Sequence, residues 1–292
     1  MKVAFLGTGL MGLPMAQRLL AANIDLIAYN RTPEKLAPLQ QAGAEIATQS
    51  RHAIRAADCI ILMLTNTAAI YSVLLSDTSW HTISGRTVIQ MGTITPTESQ
   101  EIRDAVVAAG GEYLEAPVLG SIPEAQTGKL IVMVGAEERQ YQRYLNLLQN
   151  FGPEPKLIGP VGSAAAVKLA LNQLIASLTT SFALSLAFIQ RQDIDTEVFM
   201  QILRESSLYA PTFDKKLQRM LDGNFANPNF PTKHLLKDVD LFINEAKSSD
   251  LDISTIKGVR QIVQAAMKMS FANDDYSSVF YAIKAWEEGR WD

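Results

Sequence analysis

The sequence predicts an α/β fold in which a doubly wound, mainly parallel sheet is followed by an all-α domain joined to it by a long helix. Three observations predict this arrangement. Short apolar runs alternate with stretches of helical spacing up to about residue 158, a glycine-rich turn follows the first run, and long helical patterns with hardly any strand-like run follow Gly162. Alternation of strands and helices is typical of a parallel sheet covered by helices on both faces.

Seven apolar runs are predicted to be strands, at residues 2–6, 25–29, 58–64, 86–91, 112–114, 130–134 and 156–158. Helical spacing between them predicts helices, among them 10–22, 33–42, 97–109 and 137–150. The turn Gly159-Pro160-Val161-Gly162 divides the chain into domains 1–161 and 162–292. Residues 224–231 are expected to be a loop between two helices of the second domain.

Composition limits the class of partner. The chain has 292 residues, of which 48% are hydrophobic and 19% charged, and its net charge is −4. Because there is no basic surplus, we expect neither nucleic acid nor an anionic membrane as a partner. The single cysteine, Cys59, lies in an apolar run and is predicted to be a buried structural thiol. The N-terminal strand lacks the pattern of a signal peptide, and a cytoplasmic location is expected.

One segment is long and apolar enough to cross a bilayer. Residues 169–190 carry no charge, but they include Asn172, Gln173 and several serines and threonines. They also follow a domain with a soluble pattern. We therefore expect a helix that is buried on most sides, in a core or a dimer, and no membrane span.

The glycine-rich turn after the first strand predicts a dinucleotide site of the Rossmann type. Its residues are Gly7, Thr8, Gly9, Leu10, Met11 and Gly12. The first glycine permits a tight turn, the second lets the backbone approach a pyrophosphate, and the third lets the helix pack on the strand. The following helix offers free N–H groups and the positive end of its dipole to the anion.

The end of the second strand favours NADP(H) over NAD. A site for NAD usually has Asp or Glu here to hold the ribose 2′-hydroxyl. This chain has Asn30, Arg31 and Thr32 instead. A guanidinium pairs with a 2′-phosphate, which a carboxylate would repel, and Thr32 can add a hydroxyl. The alternative is that Arg31 is a solvated loop residue.

Two later strand ends are expected to complete the cofactor site, because open α/β sheets bind ligands at the carboxyl ends of their strands. Met63, Leu64 and Thr65 follow one strand, and Thr93 follows the next. Leu64 and Thr65 would line the adenosine side, and Thr93 would reach toward the nicotinamide. Ordinary loop roles are the alternative for each of them.

Lys168 is the candidate catalytic residue, because it is the only charged residue between Lys156 and Arg191. An unpaired ammonium is costly to bury, so it either extends to solvent or faces a polar cavity. Asn172 lies one helical turn further on the same face. Together the two side chains could hold and protonate one carbonyl oxygen. The alternative is a surface lysine at the start of a helix.

Other polar residues say little on their own. Lys237 and Asp238 are neighbours on a predicted helix, and such a pair usually belongs to a solvated face. A histidine such as His234 is more often packed or exposed than catalytic. The remaining histidines, His52 and His81, lie in segments predicted to be loop or helix surface. Since no Cys/His cluster has the spacing of metal ligands, no metal is predicted.

Four segments together resemble the β-hydroxyacid dehydrogenase family, which includes 3-hydroxyisobutyrate dehydrogenase-like enzymes. They are GTGLMGLPMA at 7–16, EAPVLGS at 115–121, GPVG at 159–162 leading to Lys168 and Asn172, and Lys237-Asp238. The resemblance spans almost the whole chain, in the family's order and spacing. The Asn30-Arg31-Thr32 segment, the Glu-Ala-Pro-Val opening and the Phe230–His234 segment look most like the glyoxylate and succinic semialdehyde reductase branch.

The resemblance implies a role for each segment. Lys168 would be the catalytic acid or base, and Asn172 would help to hold the substrate. Residues Pro117–Ser121 would form a loop, and the backbone N–H groups of Val118, Leu119, Gly120 and Ser121 would bind the substrate carboxylate. Lys237 would contact the cofactor near the nicotinamide, while Phe230 and Asp238 would line the substrate side. The resemblance also implies a homodimer or homotetramer built on the helical half.

Two departures from the family pattern affect the expectation. The substrate segment usually has serine where this chain has Leu119, which removes a hydroxyl donor and adds apolar bulk. A glycine is usual where this chain has Ala164, close to the lysine. Imine reductases have a related fold but usually lack the lysine, so Lys168 argues against that assignment.

The expected function is NADPH-dependent reduction of a small aldehyde or keto acid, of the glyoxylate or succinic semialdehyde type, to the hydroxy acid. The nearest alternative is an NAD-dependent dehydrogenase of 3-hydroxy acids such as hydroxyisobutyrate. An alternative of another class is a non-catalytic NADP(H)-binding sensor module, against which Lys168 and Asn172 count. The sequence leaves the physiological substrate, the oligomer size and the direction of flux open.

Overall fold

The N-terminal part of the chain forms one sheet with a parallel centre. The computed structural model describes residues 1–285, and its contacts divide the chain into two compact units, Met1–Leu169 and the residues from Ala170 onward. The strands of the first unit are β1 Val3–Leu6, β2 Leu26–Tyr29, β3 Glu45–Ile46, β4 Cys59–Leu62, β5 Thr87–Gln90, β6 Glu112–Glu115, β7 Val118–Leu119, β8 Ile131–Gly135 and β9 Lys156–Gly159. Their order across the sheet is β3-β2-β1-β4-β5-β6-β8-β7, and β9 pairs with β8.

Strand β1 lies at the centre of the parallel half, between β2 and β4. Its successive side chains enter different cores, since Phe5 belongs to one buried cluster and Leu6 to another. Strands that are covered on both faces are apolar throughout instead of alternating. The prediction of a doubly wound sheet is confirmed, and only β8 with β6 and β7 adds antiparallel pairs.

Helices connect the strands of the first unit. They are α1 Gly12–Ala21, α2 Ala37–Gln41, α3 Ser50–Ala56, α4 Thr67–Val73, α5 Pro96–Ala108, α6 Ile122–Thr127 and α7 Glu138–Leu148. The segment predicted as one helix over 33–42 begins with a 3₁₀ turn at Pro33–Leu36 before α2. Short 3₁₀ turns also occur at Trp80–Thr82, Phe271–Asn273 and Tyr276–Ser278.

The segment 117–121 was expected to be a loop, and this expectation is wrong in part. Val118 and Leu119 form β7, which pairs antiparallel with Ile131 and Val132 of β8. The pairing adds two apolar residues to the sheet, and the chain then turns into α6 at Ile122. A turn at Gly120, whose φ of 136° suits glycine, separates β7 from the helix.

The second unit is helical throughout its described residues. Its helices are α8 Ser163–Arg191, which begins in the first unit, α9 Thr196–Glu205, α10 Pro211–Asp222, α11 Thr232–Ser248, α12 Ser254–Lys268 and α13 Val279–Lys284. The prediction of a loop over 224–231 is confirmed. In the core of this unit Phe182 stacks on Phe213, with ring centroids 4.8 Å apart.

Helix α8 is the long apolar segment identified in the sequence. Its length and a mean hydropathy of 1.4 would allow it to cross a membrane, and 44% of the most apolar window is buried within the protein. Residues of its other face, Leu174, Leu178, Leu184 and Phe188, are exposed. The helix is therefore half core and half uncovered apolar surface.

Candidate active site

The glycine turn between β1 and α1 is tightly packed at its ends and open in the middle. Gly7 has a φ of 102° and donates its N–H to the Tyr29 carbonyl at 3.0 Å. A Cβ at Gly7 would collide with the Met63 carbonyl, and one at Gly12 would collide with the Gly7 carbonyl. A Cβ at Gly9 would meet nothing within 4 Å. The backbone at Gly9 is thus open to a ligand.

The start of α1 has the features of an anion site. Among the described residues no side chain caps this helix. The Leu13 N–H donates to the Gly9 carbonyl at 3.0 Å, and Pro14 has no N–H, so the Gly12 N–H and the positive end of the helix dipole are left for an anion. The Thr8 hydroxyl, in the same turn, is buried and has no hydrogen-bond partner among those residues. An open turn with an orphaned hydroxyl at the positive end of a helix fits the pyrophosphate of a nicotinamide dinucleotide.

Asn30 connects this turn to the end of β2. Its Oδ1 accepts from the Thr8 N–H at 3.3 Å, and its Nδ2 donates to the Thr32 carbonyl at 2.9 Å. The side chain needs both an acceptor and a donor for these contacts, which asparagine has and an ionised aspartate lacks. Asn30 therefore shapes the loop, and the exposed Arg31 and Thr32 are presented to solvent on it.

The ends of β4 and β5 lie beside the glycine turn. The Met63 N–H donates to the Leu6 carbonyl at 2.9 Å, and the Leu64 side chain lies against Gly7. Thr65 is exposed at the end of this segment, and Thr93 is half-buried after β5. The predicted cofactor residues of the first unit are in this way brought to one edge of the sheet.

Gln90 is a residue of this edge that sequence reasoning missed. Its side-chain amide donates to the Gly92 carbonyl at 2.9 Å and accepts from the Gly92 N–H at 3.0 Å. This double contact fixes the turn that leads to Thr93. A polar residue inside the apolar run 86–91 was the available signal.

Lys168 lies in the second turn of α8 and is 8% exposed. Asn172, one turn further, is 3% exposed. The alternative of a solvated surface lysine is wrong, because the side chain is withdrawn from solvent. Lys168 is the only charged residue of α8 before Arg191 at its end, and a buried lysine is uncommon in proteins.

Glu115 holds the beginning of α8, and sequence reasoning gave it no role. Its Oε1 accepts from the N–H groups of Gly162, Ala164 and Ala165 at 2.8, 2.9 and 3.1 Å. Ser99 donates its hydroxyl to Oε2. Burial raises the pKa of Glu115 above its ordinary value, while the hydrogen bonds to Ser99 and α8 act in the opposite direction.

In the second unit Asp238 orients the candidate substrate residue Asn172. The Asn172 Nδ2 donates to Asp238 Oδ2 at 2.6 Å, and Lys237 Nζ lies 2.7 Å from Asp238 Oδ1. Asp238 is 3% exposed, so its charge is balanced at close range. Because an ionised carboxylate only accepts, the amide nitrogen of Asn172 must face it, and the orientation of the amide is fixed.

Phe230 lies two residues before α11, and His234 lies in the first turn of this helix. Their rings are roughly parallel, with centroids 6.5 Å apart and an interplanar angle of 26°. Tyr276 meets Phe230 edge-on at 5.7 Å. Burial lowers the pKa of His234, and the nearby Lys237 and Lys233 lower it further. The imidazole is therefore neutral at neutral pH, a packed histidine as expected.

In the segment expected to bind a carboxylate, the donors of Ser121 are already engaged. The Ser121 N–H donates to Glu124 Oε2 at 2.9 Å, and the Ser121 hydroxyl donates to the same oxygen at 2.5 Å. Leu119 is half-buried in β7 and Pro117 and Val118 are buried. A substrate carboxylate would have to compete with Glu124 for Ser121. Within residues 1–285 no cluster of His, Cys, Asp and Glu could hold a metal ion.

Two family models match almost the whole chain. One, described as the NAD binding domain of 6-phosphogluconate dehydrogenase, matches residues 2–161. The other, described as NAD-binding of NADP-dependent 3-hydroxyisobutyrate dehydrogenase, matches residues 162–283. The chain belongs to the β-hydroxyacid dehydrogenase family. It is an oxidoreductase of the type that acts on CH–OH groups, with a nicotinamide cofactor.

Similar members of the β-hydroxyacid dehydrogenase family include two reductases of Arabidopsis thaliana. Glyoxylate/succinic semialdehyde reductase 2, chloroplastic, is 28% identical over 97% of this chain and 79% of its own length. Glyoxylate/succinic semialdehyde reductase 1 is 26% identical over 97% of this chain and 99% of its own. In fold, the chain is similar to 3-hydroxyisobutyrate dehydrogenase from Salmonella typhimurium, with a TM-score of 0.86, 24% identity and coverage of 96% and 99% of the two chains.

Proposed function

We propose that this β-hydroxyacid dehydrogenase reduces small aldehyde or keto acids, of the glyoxylate or succinic semialdehyde type, with NADPH. The observation that carries the proposal is the buried Lys168, which lies in the second turn of α8 in the same unit as the glycine turn. A buried ammonium is the proton donor that carbonyl reduction needs. The names of the two Arabidopsis relatives support the substrate class.

NADPH is proposed as the cofactor because of the loop after β2. Asn30 uses both ends of its amide to fix this loop, and Arg31 is exposed beside it. A guanidinium at this place pairs with a 2′-phosphate. The description of the second family model, which names an NADP-dependent enzyme, agrees with this preference.

In the proposed mechanism, bound NADPH supplies the hydride that the carbonyl carbon accepts. Lys168 stabilises the negative charge that develops on the carbonyl oxygen and donates a proton to it, which gives the hydroxy acid and a neutral amine. Solvent then returns the proton to Lys168. Asn172, which lies one turn further along the same helix and is oriented by Asp238, is proposed to hold the substrate oxygen.

A turnover screen tests this proposal. Purified protein is assayed for reduction of glyoxylate, succinic semialdehyde, other short carbonyl acids and cyclic imines with NADPH and with NADH. Oxidation of 3-hydroxyisobutyrate is assayed with NADP+ and with NAD+. We expect the highest kcat/KM with NADPH and a carbonyl acid. Preference for NADH together with oxidation of 3-hydroxyisobutyrate would favour the NAD-dependent dehydrogenase instead. Tight binding of NADPH without turnover of any compound would favour a sensor module.

We also propose that the protein is a homodimer or homotetramer. The uncovered face of α8 carries Leu174, Leu178, Leu184 and Phe188 in a stripe, and α9 adds exposed Val198 and Ile202. Groups of exposed apolar side chains on one face are typical of interaction sites on soluble proteins. The stripe lacks charge, so a second copy of the same uncharged stripe is a suitable partner.

A further inference from the structure

The first turn of α8 is held by one buried carboxylate. A helix leaves its first four N–H groups without partners inside the helix. In α8 these belong to Gly162, Ser163, Ala164 and Ala165, and Glu115 Oε1 accepts from three of the four. The Ser163 N–H donates to the Pro160 carbonyl at 3.0 Å. All four donors are thus accounted for, three of them by a residue about 50 positions earlier in the chain.

The surroundings of Glu115 are built to hold it in one place. Its second oxygen accepts from the Ser99 hydroxyl, which lies 2.9 Å from the Tyr113 hydroxyl. Gly135 of β8 lies opposite in the sheet, and a Cβ there would collide with the carboxylate. Glu115 is 1% exposed. Both oxygens of the carboxylate therefore have fixed partners, and the missing side chain at Gly135 provides the space.

The same turn of α8 determines where Lys168 lies. Lys168 follows Ala165 by three residues, which is about 4.5 Å along a helix that rises 1.5 Å per residue. A shift of the first turn would move the Lys168 backbone with it. Catalytic geometry is sensitive to such shifts, since a displacement of 1 Å can cost about a hundredfold in rate.

We propose that Glu115 is a positioning residue, which fixes the first turn of α8 by accepting its N–H groups and thereby places Lys168 for proton transfer. The inference rests on the proposed function, because it assigns Lys168 to the reaction. It adds a buried acid at the end of β6 whose described hydrogen bonds go to Ser99 and to the first turn of α8.

Three variants test the role. Glu115→Ala removes all the acceptors, whereas Glu115→Gln keeps an amide oxygen that can accept from the same three N–H groups. Glu137→Ala is the matched control, because it removes an acidic residue at the N-terminus of α7, in the same unit. For each we would measure kcat, KM, the Kd for NADPH and the hydrogen exchange of peptides that cover residues 162–168.

We expect Glu115→Ala to lower kcat by about a hundredfold while the Kd for NADPH stays close to that of the wild type. Exchange of the 162–168 peptides should become faster in this variant, because their N–H groups lose an acceptor. Glu115→Gln should restore most of kcat and of the protection. Glu137→Ala should change neither kcat nor the exchange of the 162–168 peptides. This control distinguishes the specific effect of Glu115 on α8 from a general effect of losing an acidic residue at a helix N-terminus.

Unchanged exchange of the 162–168 peptides in Glu115→Ala would overturn the proposal, and so would faster exchange with an unchanged kcat. Loss of NADPH binding together with kcat would also overturn it, because the defect would then lie in the whole unit. If the wild-type protein turned over no carbonyl acid, the proposed function would fail. The exchange measurement would still decide whether Glu115 holds α8.

Discussion

Asn30 and Arg31 are neighbours with different tasks. Asn30 joins the glycine turn to the loop after β2 through two hydrogen bonds, and Arg31 is exposed on that loop. Replacing Asn30 would disturb the loop itself. Arg31 can be changed without breaking a described hydrogen bond, which makes it the better test of cofactor preference.

We expect Arg31→Asp to shift the ratio of kcat/KM for NADPH over NADH toward NADH by roughly 10- to 100-fold. The reason is that hydrogen bonds to charged groups contribute about 1.5–3 kcal/mol, and every 1.4 kcal/mol is tenfold. Arg51→Asp on α3 is the control, because Arg51 is also exposed and the change of charge is the same. It should leave the ratio unchanged. An unaltered ratio in Arg31→Asp would show that the guanidinium does not bind the phosphate.

Glu115 should make stability depend on pH in a defined direction. Burial raises its folded-state pKa above the ordinary value of 4.5, so the folded protein binds the proton more tightly than the unfolded chain. The contribution of Glu115 to the free energy of unfolding is then fully present below pH 4.5, and it is lost as the pH rises through the folded-state pKa. The Glu115→Gln variant has a neutral side chain that does not ionise, so its stability does not fall with pH for this reason.

Urea unfolding of the wild type and Glu115→Gln between pH 4.5 and 8 measures the effect. We expect the free energy of unfolding of the wild type to fall relative to that of Glu115→Gln as the pH rises. A difference that stays constant, or that changes in the opposite direction, would mean that the carboxylate is not penalised by burial.

At the scale of elements, the glycine turn shows which glycines serve the fold and which serve the ligand. Gly7 and Gly12 leave no room for a side chain, whereas Gly9 faces open space. We expect Gly9→Ala to leave the melting temperature almost unchanged and to weaken NADPH binding, because the added methyl group occupies the approach to the backbone.

Gly258, on the exposed side of α12, is the control for Gly9 because it also has open space. Gly258→Ala should raise the free energy of unfolding by about 0.4–1 kcal/mol and leave the Kd for NADPH unchanged. Calorimetry and a fluorescence titration of NADPH measure both properties. Equal NADPH affinity of Gly9→Ala and the wild type would place the pyrophosphate elsewhere.

Local sequence patterns were sufficient to predict the strands of the sheet that are buried on both faces. The central strands β1 and β4 are continuous apolar runs, and the glycines of the first turn have a characteristic spacing. Strand β7 has two residues, too few for any periodicity, and it depends on Ile131 and Val132 of β8. The sequence could not reveal this strand because its partner determines it.

Prediction of the site was limited in the same way, because local sequence does not show contacts with distant residues. Gly7, Gly9, Gly12 and Lys168 stand out by spacing or by charge in an apolar segment. Glu115 and Asp238 do not stand out, because their roles depend on residues that are distant in the sequence. Glu115 accepts from the first turn of α8, and Asp238 accepts from Asn172. A buried acid at the end of an apolar run is the signal that could have directed attention to Glu115.

At the scale of the molecule, the uncovered stripe of α8 determines the expected assembly. We expect the double variant Leu184→Glu/Phe188→Glu to dissociate the oligomer, because two charges per copy would be buried without partners in the interface. Light scattering after size-exclusion chromatography measures the mass. Val107→Glu on α5, where the side chain is equally exposed, is the control. A monomeric wild type, or an oligomer that survives the double variant, would contradict the proposal.

The central claim is that Lys168 donates the proton in NADPH-dependent reduction of a carbonyl acid. The direct test compares the wild type, Lys168→Ala and the exposed-lysine control Lys156→Ala with the best substrate of the screen. The account predicts that Lys168→Ala lowers kcat by about 10²- to 10⁴-fold, with the Kd for NADPH unchanged and the control fully active. A Lys168→Ala variant with nearly wild-type kcat would contradict it.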